Sequence, residues 1–135
     1  MLKPNTSYHN LTLRMKFLTI LALLVPALAQ ITCETSNASP STEDVTGVIN
    51  QLNGKKEKTC AQNNNHGSKC TTHATDGSAK IAICGTFDST SRGFNCGALA
   101  GWANAVQQEC LSNGKVGGYY VPANNLGTRI EISHT

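Results

Sequence analysis

The sequence predicts an α+β fold, with two helices packed on one face of a small antiparallel sheet and three disulfides holding the layers together. Three observations predict it. Two segments, near 42–53 and 95–111, carry apolar residues at helical spacing. A turn at Asp76-Gly77 separates two short strand-like runs. Six cysteines lie between positions 33 and 110. Helices gathered on one side of an antiparallel sheet form a stable two-layer arrangement.

The chain opens on a leader. Arg14 and Lys16 supply a positive start, Phe17 to Val25 is an apolar run of nine broken by Thr19, and Ala27-Leu28-Ala29 is a small-x-small cleavage pattern. The run is short for a bilayer span. Residues 1–29 are therefore expected to leave as a leader with a secretory signal peptide, and Met15 is a second candidate start. Residues 30–135 are expected to form a single disulfide-stapled domain in a secreted, extracellular product, with no stable membrane insertion.

Removing the leader changes the charge. The formal +3 of the whole chain comes from 11 Lys plus Arg against 8 Asp plus Glu. Lys3, Arg14 and Lys16 leave with the leader and no acid does, so the remainder is neutral. A neutral domain has no electrostatic pull on nucleic acid or an anionic membrane. Nucleic acid is therefore not expected as a partner.

An even cysteine count in a small secreted chain implies a disulfide framework. Cys33, Cys60, Cys70, Cys84, Cys96 and Cys110 allow 15 pairings in principle. There is no Cys-x2-Cys pair and the histidines are scattered, so no metal or other cofactor is expected.

The elements follow in order. Gln30 to Pro40 is polar and extended, with Asn37-Ala38-Ser39 the glycosylation sequon left after cleavage, though Pro40 behind it lowers its use. Ser41 or Thr42 opens the first helix, over about 42–53. Glu43 and Asp44 lie in its first turn, and Val45, Val48, Ile49 and Leu52 form its apolar stripe. Asn53-Gly54 stops it. Cys60 to Cys70 encloses a turn-rich loop.

Thr71–Thr75 and Ala79–Cys84 then read as a hairpin. If its loop is the three residues Asp76–Ser78, Thr75 faces Ala79 and Cys70 faces Cys84. Facing cysteines at a non-hydrogen-bonded position suit a disulfide. A different loop length would shift this register by one and spoil it.

Residues 85–95 read as a polar loop with Phe87, Arg92 and Phe94. Asn95 caps a second helix to about Leu111, with Cys96, Leu99, Ala103, Val106 and Cys110 on one side. Asn113-Gly114 ends it. Lys115–Val121 and Thr128–Ser133 read as strands joined through Pro122–Gly127. Alternation of Arg129, Glu131 and Ser133 with Ile130 and Ile132 gives the sheet one buried and one wet face.

Candidate chemistry is sparse. No catalytic residue is assigned. The alternative of a ribonuclease-like enzyme would draw on His73, Glu131 and Arg129, because such chemistry needs an acid, a base and a cation at one substrate. His134 is close by in sequence but of opposite strand parity. Trp102 lies off the apolar stripe of the second helix, and of Tyr119 and Tyr120 one must face outward. Trp102 and Tyr119 are therefore candidate binding residues, and a glycan-binding surface built on them is a further alternative.

The order of features resembles the KP4-type killer toxins and related small secreted fungal proteins. An N-terminal Cys33 precedes a helix, Cys60 and Cys70 flank a loop, Ala79-Lys80-Ile81-Ala82-Ile83-Cys84-Gly85 is similar to the family's Ala-Lys-Val-Cys-Gly strand, and a helix bears Cys96 and Cys110 before a final strand. The resemblance covers most of residues 33–133. It implies an α+β sandwich with the pairs Cys33–Cys110 and Cys60–Cys96, leaving Cys70–Cys84. It implies a non-enzymatic protein acting by binding, as an antagonistic toxin or host-interaction effector, on an extracellular or cell-surface protein, and a monomer is expected. It also makes Lys80, four residues before Cys84 where the family has two, the candidate functional cation.

Overall fold

The computed structural model describes residues 29–85, 93–123 and 127–135. The leader up to Leu28, the loop residues Phe87 and Arg92, and the 124–126 stretch of the last connection lie outside the described residues.

Strand β1 (Gln30–Cys33) is followed by helix α1 (Thr42–Gly54), β2 (Thr59–Ala61), β3 (Cys70–Asp76), β4 (Ala79–Gly85), β5 (Gly93–Asn95), helix α2 (Cys96–Cys110), β6 (Gly118–Val121) and β7 (Thr128–His134). Five strands form one antiparallel sheet in the order β1-β6-β7-β4-β3, and β2 and β5 pair separately. The expected α+β architecture is present.

Both helices begin where local chemistry directs. Ser41, in extended conformation, accepts the Asp44 N–H on its hydroxyl at 3.2 Å, so Ser41 is the cap and Thr42 the first helical residue. Glu43 and Asp44 then complement the positive end of the helix. Asn95 caps α2 through the Gly97 N–H at 2.8 Å. The two apolar stripes meet the sheet. Val45, Val48, Ile49 and Leu52 of α1 and Leu99, Ala100, Ala103 and Val106 of α2 are buried with Ile81, Ile83, Ile130 and Ile132. Those four isoleucines share one parity of β4 and β7, so both helices cover the same sheet face.

The cysteines pair as Cys33–Cys110, Cys60–Cys96 and Cys70–Cys84. The first ties the edge strand to the end of α2. The second ties the small β2–β5 sheet to the start of α2. The third closes the hairpin.

Three local readings are corrected. The hairpin loop has two residues, Gly77 and Ser78, not three, because Asp76 pairs with Ala79 and Thr75 with Lys80. Positive φ at Gly77, the first loop position, is where a type II′ turn takes glycine. The register nevertheless returns to Cys70 opposite Cys84, because the ladder skips His73 between Thr72 and Ala74. The 85–95 segment is not all loop, since Gly93–Asn95 pairs with Thr59–Ala61. Strand β6 starts at Gly118 rather than Lys115. Asn113 and Gly114 both take positive φ and make a tight turn that binds Lys115 back to Ser112, which uses that stretch elsewhere.

Candidate functional site

The outer sheet face, away from the helices, carries the residues with chemistry. Lys80, Ala82 and Cys84 of β4 stand opposite Ser133, Glu131 and Arg129 of β7, and Glu131 stands opposite Tyr119 of β6. Directly paired residues share a face, so Lys80, Tyr119, Arg129 and Glu131 all project to the same side. Two of the three sequence-assigned binding residues, Lys80 and Tyr119, thus share a face, with Lys80 at the opposite end of β4 from Cys84 and Arg129.

Arg129 is held from two sides. Its Nη2 and Nε lie 2.9 and 3.0 Å from Glu131 Oε2, and its guanidinium carbon lies 5.2 Å from the Tyr119 ring centroid. An exposed pair of this kind contributes about 0.2–1 kcal/mol, so its effect is to orient the guanidinium rather than to hold the fold.

Beside this pair lies a groove of about 440 Å³, bordered by Ser68, Lys69, the Cys84 end of the hairpin disulfide, Tyr119, Val121 and Arg129. Gly85 and Gly127 also line it and approach each other closely. Gly85 has a φ of 135°, and a Cβ there would collide with the Gly127 carbonyl. Lys69 and Ser68 were not singled out in the sequence. Lys69 takes a left-handed φ of 52°. Its carbonyl accepts the Gly85 N–H at 2.9 Å and the Gln62 amide at 3.0 Å, which anchor it there. Gln62 is only 2 % exposed, and its amide also donates to the Asn64 and Gly85 carbonyls. No local sequence signal marks a lysine for left-handed backbone, so this residue was not legible.

Trp102 lies elsewhere. It stacks on Tyr120 at 5.3 Å and meets Phe94 edge-on at 5.0 Å, all three half-buried against the core. Tyr120 has the opposite parity to Tyr119 and faces the helices. Trp102 and Tyr119 therefore lie on different sides of the sheet and do not form one surface.

His73 does not join Arg129 and Glu131. It is on β3, two strands from β7 and so roughly 10 Å away in backbone terms. Its Nε2 lies 2.9 Å from the Ala61 carbonyl, a contact that requires the Nε2–H tautomer. Burial pushes the His73 imidazole pKa down; the Ala61 contact opposes this and the nearby Lys55 charge adds to it. His134 is exposed at the chain end, its Nδ1 3.0 Å from the Thr135 carbonyl. Among the described residues no three His, Cys, Asp or Glu side chains cluster as a metal site would require, and all six cysteines are in disulfides. No helix among them is long and apolar enough to cross a membrane. Asn37 is exposed in a turn, while Ser39 of its sequon is buried with its hydroxyl accepting the Ser36 N–H.

The described geometry defines a small cysteine-rich α+β domain. No protein-family model matches the chain, and no curated protein matches its sequence.

Proposed function

We propose that this is a secreted fungal protein that acts by binding, through the outer face of its sheet, to an extracellular or cell-surface protein. Residues 1–29 are its leader and 30–135 its working domain. Its biological role is antagonism of competing cells or interaction with a host. The observation that carries this reading is the placement of Lys80, Tyr119 and the oriented Arg129–Glu131 pair on one sheet face, with Tyr119 and Arg129 bordering a groove. Three disulfides within a short chain support it, since such stapling suits an oxidising extracellular medium. A cationic and aromatic surface of this kind fits a protein patch with exposed carboxylates.

The test is growth inhibition of competitor fungi and host-tissue response with the secreted protein and its Lys80→Gln and Arg129→Gln variants. Each variant is expected to lose potency while keeping its melting temperature. Undiminished potency in Lys80→Gln removes Lys80 from the site. Undiminished potency in both removes the outer face.

A further inference from the structure

We infer that Gln30, freed by removal of the leader, is cyclised to pyroglutamate, so that the working chain begins with a neutral lactam at the rim of the outer sheet face. The inference rests on the leader reading above, because it needs the Ala29–Gln30 bond to be the one cut.

The chemistry follows from the residue type. Once Gln30 carries the free α-amine, that nitrogen attacks its own Cδ. The N–Cδ bond forms, the Cδ–Nε2 bond breaks, and Nε2 leaves as ammonia with one proton from the amine. Nothing is oxidised or reduced, and no second substrate is consumed.

The structure accommodates the product. Gln30 is exposed at the first position of edge strand β1, opposite Val121 of β6. Glu34 donates its N–H to the Gly117 carbonyl at 2.9 Å, which sets the phase of the β1–β6 ladder. Counting back along the register, Thr32–Tyr119 and Gln30–Val121 fall at hydrogen-bonding positions. The ladder thus asks the Gln30 nitrogen for one donated hydrogen. At this exposed edge end the lactam nitrogen forgoes that bond, because its ring fixes the N–Cα torsion as proline's does and turns the one remaining hydrogen out of the ladder. The lactam carries no charge, whereas a free α-amine with a pKa of about 8 is largely protonated at neutral pH.

Position makes this matter. Gln30 shares a face with Val121, which borders the groove beside Tyr119. A lactam there adds an uncharged rim to the surface and adds no cation to Lys69, Lys80 and Arg129 among the described residues of that side. It also closes the chain start to aminopeptidases, which need a free amine. Cys33, three residues on and bonded to Cys110, anchors the strand behind it.

The experiment is peptide mass analysis of the secreted full chain, with amine labelling, beside a Gln30→Ser variant that cannot cyclise. The expected N-terminal peptide begins at residue 30, is lighter by one ammonia, takes no amine label and resists aminopeptidase. Pyroglutamyl peptidase should expose the Ile31 amine. The Gln30→Ser chain should be labelled and trimmed. A labelled Gln30 would overturn the inference and leave the leader reading standing. A secreted chain starting elsewhere, or one retaining its leader, would overturn the cleavage reading and the inference with it.

Discussion

Cys70 stands opposite Cys84, Cα atoms 4.0 Å apart, because His73 is excluded from the ladder between them and the turn. Six residues, 71–76, run from Cys70 to the turn, and five, 79–83, run back to Cys84. A two-residue loop with no bulge would set Cys70 against Gly85. Deleting His73 should therefore leave a regular hairpin that still forms Cys70–Cys84. Disulfide mapping of that variant checks it, and free thiols at both positions would show that the bulge does more than absorb the extra residue.

The same histidine gives the protein a pH response. Its lowered folded pKa means the unfolded chain binds the proton more tightly. Stability is therefore full above the ordinary histidine range, near pH 6.5, and falls as pH drops from there toward the folded pKa. Melting temperature against pH should show this fall in the wild type and a flatter curve when His73 is deleted. An NMR titration should place the His73 midpoint below 6.5.

Asp44 links the start of α1 to the hairpin tip. Its Oδ2 accepts the Ser78 N–H at 2.7 Å and the Ser78 hydroxyl at 2.6 Å, and Ser78 Oγ accepts the Ser41 N–H at 3.1 Å. The two Ser78 bonds hold the Asp44 carboxyl pKa below the carboxylate value of 3.8, with smaller help from Ser41 and Lys115 against a desolvation cost. A lowered folded pKa stabilises above the unfolded pKa, and that contribution is lost as pH falls below about 4 toward the folded value. Asp44→Asn should melt lower than wild type at pH 6 and close on it at pH 2. Parallel curves would remove the carboxylate from this role.

Gln62 is a buried crosslink made of one amide. Its Nε2 donates to the Asn64, Lys69 and Gly85 carbonyls, and its Oε1 accepts from the Asn64 N–H and the Thr71 hydroxyl. Gln62→Ala leaves several of these without a partner, at about 1–3 kcal/mol per buried group. A loss of about 3 kcal/mol in urea unfolding is expected. The 62–69 loop should also become more open to proteolysis while Cys60–Cys96 stays formed.

The disulfides are fully nested, with sequence separations of 77, 36 and 14 residues from outermost to innermost. Taken as single loops, the chain-entropy relation assigns about 4.5, 3.8 and 3.0 kcal/mol to them. Paired Cys→Ala substitutions should therefore destabilise most at Cys33/Cys110 and least at Cys70/Cys84. Calorimetry of the three variants tests the order. The reverse order would mean that packing around the hairpin outweighs loop closure.

The sequence alone determined what short-range physics controls. The stripe Val45–Leu52, the stripe Leu99–Val106 and the Asn95 cap follow from helical period and capping chemistry, and the alternation at 129–133 follows from strand period. The hairpin also lay in the sequence, although its loop length did not. Sequence counting reached Cys70–Cys84 through a three-residue loop, and the structure reaches it through a two-residue loop and the His73 bulge, because two offsets of one residue compensate. Cys33–Cys110 and Cys60–Cys96 came from resemblance rather than from any local rule. Tertiary structure alone decided the β2–β5 pairing, the left-handed Lys69 and the face shared by Lys80, Tyr119 and Arg129. Three-residue strands show no period, a lysine carries no signal for positive φ, and a shared face depends on the order β1-β6-β7-β4-β3. That order is set by packing between segments remote in the chain, where local rules have no reach.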